Sequence, residues 1–165
     1  MIPFYKHNLT SKNYIKKTLK SFYLTSGPKC EEVENILKKK FNKKFSFLTN
    51  SWTNAAIAIL LALKIKRGDE VIIPACTFVA CANIIEMVGG KVIFADIDPK
   101  TKLMDINDCL KKITKKTKAI MPVHLYGNLF PTFVLKRKIR KNIFIIEDSA
   151  HAFLGEYNNS PLRFY

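Results

Sequence analysis

Between residues 45 and 148 the chain repeats one arrangement: a short apolar run, a turn, then a longer stretch with helical spacing. The runs are FSFLT (45–49), EVIIPA (70–75), KVIFAD (91–96), KAIMPV (118–123) and IFIIED (143–148). Their hydrophobicity is continuous rather than alternating, which marks strands buried on both faces. Between them lie NAAIAILLALKI (54–65), FVACANIIEMV (78–88), DINDCLKKI (105–113) and a basic segment near 130–141. Each is long enough for a crossover helix, and two further helices are expected near 10–20 and 30–41. The alternation predicts an α/β fold of three layers, α/β/α, around a mostly parallel sheet. No internal repeat, low-complexity linker or domain boundary interrupts the 165 residues, about the length of one domain.

Composition changes this picture only at the margins. Twenty-eight basic against thirteen acidic residues leave a formal charge of +15, which favours polyanions or phosphorylated ligands. The lysines are spread over the whole length, however, and their densest runs fall near predicted helix ends and turns, as on a solvated surface. Aromatic residues are not interleaved with the basic runs as a nucleic-acid stacking platform requires, so nucleic acid is not the expected partner. Cys30, Cys76, Cys81 and Cys109 show neither CxxC spacing nor a pairing rhythm. They read as reduced, mostly buried thiols with no metal centre. The start, MIPFYKHNLT, has no long apolar core, and no apolar run reaches membrane-spanning length. A cytoplasmic chain without a membrane partner is expected.

In parallel α/β sheets ligands gather at the carboxyl ends of strands, and here those ends are unusually polar or aromatic. NSWTN (50–54) leads into a helix, where Ser51 or Thr53 can act as cap and the free N–H groups favour a phosphate. Phe78 follows PACT, where its ring is either a core residue or a stacking surface for a flat heterocycle. His124, in PVHLYGN, is either structural or a donor to a ligand. IFIIEDSAHAF (143–153) ends a buried strand in two carboxylates, with His151 three residues after Asp148. A carboxylate buried at such a place is costly unless a cation faces it. A protonated pyridine nitrogen is one such cation; an Asp in the first turn of a helix is the plain alternative.

Five phrases in order, YLTSGP (23–28), RGDEVIIPACTFVACAN (67–83), VIFADIDP (92–99), TKAIMPVHLYGN (117–128) and IIEDSAHA (145–152), resemble the DegT/DnrJ/StrS-type sugar aminotransferases over almost the whole chain. The resemblance implies a fold-type-I enzyme that uses pyridoxal 5'-phosphate to move an amino group, usually from glutamate, onto a nucleotide-linked keto sugar. It implies that Thr53 and Asn54 hold the cofactor phosphate, that Phe78 stacks on its ring, that Asp148 pairs with the ring nitrogen and that His151 sits beside the ring oxygen. A homodimer is implied as well.

The family's reactive lysine lies in a segment that follows a Tyr-x-Gly-x-Pro-x-Gly-Ser approach. Here EYNNSPLRFY (156–165) matches only the approach, and no lysine aligns with the Schiff-base residue. The expectation is therefore the amino-terminal part, residues 1–165, of the large domain of such a transferase, a truncated chain inactive alone. The small carboxyl-terminal domain is expected to be absent. The first strand would then lack its sheet neighbours and leave apolar edges open. Trp52, where many relatives have Gly or Ala, departs from the phosphate cradle. Two alternatives stay open: a sugar dehydratase of the same fold, and a non-catalytic basic α/β binding module.

Overall fold

A computed structural model of the chain describes residues 12–23, 25–157 and 160–161. It separates into two units, Met1–Leu48 and Thr49–Tyr165. The first unit holds helices α1 (Lys12–Leu19) and α2 (Pro28–Lys40). Pro28 opens α2, where its missing N–H costs nothing, and Lys38, Lys39 and Lys40 close it against the negative end of the helix dipole. None of the α2 side chains is buried, and Val33 and Ile36 face solvent. The strand expected at 45–49 does not form. That stretch pairs with no neighbour among the described residues; Phe45 and Phe47 are 74% and 80% exposed, their rings stacked 6.4 Å apart. An apolar run becomes a strand only where another edge satisfies its N–H and C=O groups.

The second unit runs through α3 (Trp52–Ala62), β1 (Glu70–Pro74), α4 (Ala80–Met87), β2 (Lys91–Ala95), α5 (Ile106–Lys111), β3 (Thr117–Ile120), α6 (Thr132–Lys138) and β4 (Phe144–Ile145). A short antiparallel pair follows, β5 (Glu156–Tyr157) with β6 (Ser160–Pro161). The four main strands form one parallel sheet in the order β2-β1-β3-β4. All five residues of central β1 are buried. Since successive side chains point to opposite faces, both faces of the sheet are covered there. Ile72, Ile73 and Ile120 from the sheet join Leu60, Ile84, Ile85 and Leu135 from the helices in one core. No helix of the described residues is long and apolar enough to cross a membrane.

The last strand is shorter than its apolar run, for a reason visible in its ladder. Ile146 N–H donates to the Ile120 carbonyl and Asp148 N–H to the Pro122 carbonyl, each at 3.0 Å, while His124 N–H returns to the Asp148 carbonyl at 2.9 Å. The rung missing between them falls at Pro122, which has no N–H to offer Ile146. Pro74 withdraws a donor in the same way at the end of β1. Pairing therefore thins out at the carboxyl edge, and the chain there is freer to follow the shape of a site.

Candidate active site

That carboxyl edge bounds a cavity of about 450 Å³, walled by residues from the α3 start and from the loops after β1, β3 and β4. Thr53, Phe78, Asp148 and His151 all line it. Residues 98 positions apart in the chain thus meet at one opening. Asn54 does not line it: exposed, it donates from Nδ2 to Asn50 Oδ1 at 2.7 Å.

The α3 entrance settles which residue caps. Ser51 Oγ accepts the Asn54 N–H at 3.2 Å, leaving Thr53 with its side chain on the cavity wall. The N–H groups of Trp52 and Thr53, in the first turn, have no carbonyl to bond within the helix and stand at its positive end. Trp52, half-buried, packs on the core and also lines the cavity. Phe78 precedes α4 rather than starting it, and the residue is 71% exposed.

The two adjacent carboxylates turn to different tasks, as alternation along a strand requires. Glu147 accepts from Thr132 Oγ1 and lies 3.5 Å from His124 Nε2. His124 is fully buried, and its Nδ1 accepts the Phe130 N–H at 2.9 Å, so its ring proton sits on Nε2, toward Glu147. It is a brace behind the site and does not line the cavity.

Asp148 faces the cavity, only 6% exposed, pinned by its parallel bridge to Val123. No helix starts here. Its Oδ1 accepts the Ala150 N–H at 3.0 Å in a tight turn, and its Oδ2 takes the Cys81 thiol at 3.7 Å. No lysine or arginine of the described residues pairs with it. Burial pushes its carboxyl pKa up, against the Ala150 N–H, the Cys81 thiol and the fields of His151 and His124. Among the described residues, none supplies a lysine or arginine cation to this buried carboxyl.

His151 is held by a residue that sequence reasoning passed over. Tyr126 donates its N–H to His151 Nδ1 at 3.4 Å, and the two rings stack at 5.8 Å and 18°. Tyr126 reaches this position with φ 54° and ψ 28°, a left-handed conformation uncommon outside glycine, and Gly127 follows at φ 84°. The Tyr-Gly-Asn turn was the available signal. Cys76 and Thr77 complete the wall, with no lysine among the described lining residues.

Comparison with known proteins identifies the family. A profile described as the DegT/DnrJ/EryC1/StrS aminotransferase family matches residues 7–162. Over 160 residues the chain is 38% identical to GDP-perosamine synthase of Escherichia coli O157:H7, covering 94% of this chain and 44% of that protein. It is 34% identical over 149 residues to UDP-4-amino-4-deoxy-L-arabinose–oxoglutarate aminotransferase of Shewanella sediminis, covering 90% and 38%. A sugar aminotransferase of Streptococcus pneumoniae, solved in its PMP form, superposes with a TM-score of 0.90 at 34% identity, covering 98% of this chain and 45% of that one. A GDP-4-keto-6-deoxymannose-3-dehydratase superposes at 0.81 and 29%, covering 88% and 40%. The chain spans less than half the length of these relatives.

Proposed function

This chain belongs to the DegT/DnrJ/EryC1/StrS aminotransferase family, and from that premise we propose that it serves pyridoxal-phosphate-dependent transfer of an amino group, from a donor such as glutamate, to a nucleotide-linked keto sugar. The single observation that carries this reading is Asp148: a buried carboxylate, without a lysine or arginine partner among the described residues, opening on a cavity. Leaving such a charge unpaired is expensive. A protonated pyridine nitrogen is a partner that fits it, and Phe78, on the wall of the same cavity, would offer such a ring a stacking surface.

The residues present divide the work of holding that cofactor. The first-turn N–H groups of α3, with Thr53, offer a phosphate the positive end of a helix. Phe78 supplies a stacking surface, and Asp148 keeps the ring nitrogen protonated. His151, fixed through Nδ1 by Tyr126, keeps Nε2–H to donate to a ring oxygen. When bound, pyridoxal phosphate supplies an electron sink for the pair released as a substrate C–H bond breaks. The names of the two curated relatives, a GDP-sugar synthase and a UDP-sugar aminotransferase, support a nucleotide-linked sugar as acceptor. A homodimer belongs to the same reading, supported by apolar side chains such as Ile59 and Leu61 on the α3 surface. The likeness to a sugar dehydratase supports a second outcome, loss of a hydroxyl instead of gain of an amine. Product analysis separates the two.

Trp52, the chain's one tryptophan, lines the cavity and reports occupancy directly. Titrating the chain with pyridoxal phosphate should quench its fluorescence saturably. Asp148→Asn should weaken binding at least tenfold, and Phe78→Ala by the 1–3 kcal/mol, roughly, of an aromatic–base stack. With no lysine on the described wall, borohydride trapping should scatter label over surface lysines. Quenching that is linear, or indifferent to Asp148→Asn, would defeat the assignment.

A further inference from the structure

Beside Asp148 stands a group with no part in the function proposed above. Cys81, in the first turn of α4, is fully buried, and its Sγ lies 3.7 Å from Asp148 Oδ2 and 3.2 Å from Thr77 Oγ1. The fold brings them together across 67 residues of sequence. The two carboxylate oxygens are served separately: Ala150 N–H goes to Oδ1, and the thiol goes to Oδ2.

An ionised carboxylate only accepts hydrogen bonds, so between Cys81 and Asp148 the proton must come from sulfur. The sulfur, having given its proton to that bond, is left as acceptor for the Thr77 hydroxyl. The direction of the chain of donors is therefore determined: Thr77 Oγ1–H to Cys81 Sγ, and Cys81 Sγ–H to Asp148 Oδ2. We infer that Cys81 is a positioning residue for Asp148, and that with Thr77 it forms a two-step donor relay that favours the ionised carboxylate and aims it into the cavity. The inference rests on the cofactor reading of the site for its purpose, though not for its chemistry.

Burial pushes the Cys81 thiol up to about 11, with the Asp148 charge adding to the rise. The thiol thus remains a donor throughout the neutral range. It is not a nucleophile there, because nucleophilicity needs the thiolate. The other groups facing Asp148 are His124, which packs behind it after β3, and His151 in its own turn; both favour its charge. Glu147 faces His124 and Thr132 instead. Thr77 itself lines the cavity, so the relay starts on the wall that a ligand touches.

The test is a titration of the Asp148 carboxyl by carbon-13 NMR in the whole chain without cofactor, the signal assigned by its loss in Asp148→Asn. Cys81→Ala should raise the proton affinity of that carboxyl about two- to fivefold, as expected for one modest hydrogen bond lost. Cys81→Ser should restore it, because a hydroxyl is the better donor. Thr77→Val should give a smaller rise. Pyridoxal phosphate affinity, read from Trp52 quenching, should fall with Cys81→Ala and recover with Cys81→Ser. An unchanged Asp148 titration in folded Cys81→Ala overturns the relay, as does a Cys81→Ser chain that behaves like Cys81→Ala. Should Cys81→Ala not fold, an unmoved titration in Thr77→Val overturns it equally. If the unaltered chain binds no pyridoxal phosphate, the proposed function fails, while the titration still decides the relay.

Discussion

At the scale of the residue, Asp148 has an unusual thermodynamic position. Its carboxyl pKa is raised by burial above the ordinary value, so the folded chain holds that proton more tightly than the unfolded chain does. By linkage, the stability this group contributes is complete below the unfolded pKa and is lost as pH rises through the folded one. Asp148→Asn removes the titration while keeping an oxygen for the Ala150 N–H and an amide for the Cys81 sulfur. In the absence of cofactor the variant should therefore melt higher than the unaltered chain at neutral pH, and the gap should close as pH falls. Melting followed by circular dichroism across pH checks this; a gap independent of pH would mean that Asp148 does not titrate as its burial requires. A residue that costs stability when empty and gains affinity when occupied is a signature of a binding site.

At the scale of the element, the short carboxyl-terminal pairing of β3 and β4 is attributable to one side chain. Pro122 occupies the place where a donor to Ile146 is missing, between rungs that are otherwise formed. Pro122→Ala should supply that N–H and extend the ladder. Hydrogen exchange would then show a protected amide at position 122, matching its neighbours; an amide exchanging as fast as one in a loop would show that the proline is not what ends the strand. The α3 start obeys a similar local rule. Ser51→Ala removes the side-chain acceptor of Asn54 N–H and should cost about 1 kcal/mol in urea-unfolding measurements. A loss of that size in Thr53→Ala instead, with Ser51→Ala neutral, would reassign the cap.

At the scale of the whole molecule, apolar side chains remain on the surface of both units taken separately. Val33, Ile36, Phe45 and Phe47 are exposed in the first, and Ile59, Leu61 and Met87 in the second. Such side chains, and a sheet edge at β4, promote association. Sedimentation velocity should show concentration-dependent self-association, reduced in Phe45→Ser/Phe47→Ser. A monomer at every concentration would mean that these surfaces are inert.

Much of this was legible along the chain because it depends on local patterns. The six α-helices of the described residues lie where helical spacing placed them, and four of the five apolar runs became strands of one parallel sheet. Thr53, Phe78, Asp148 and His151 could be singled out because each follows an apolar run, where a strand end and its chemistry are expected, although the run before Thr53 forms no strand. What sequence could not decide was every matter of partnership. FSFLT at 45–49 has the composition of a strand, yet a strand exists only beside another edge, and the stretch pairs with none among the described residues. Asp148 and Glu147 are neighbours with the same charge, and only the pleat sends one to the cavity and the other to His124. Asn54 sits one residue from Thr53, and the helical turn alone takes it off the cavity wall. The Thr77–Cys81 pair and the Tyr126 turn carry no signal linking them to residues many positions away. Local preference is written in a few adjacent residues, whereas a contact across the fold exists only once the chain has closed upon itself.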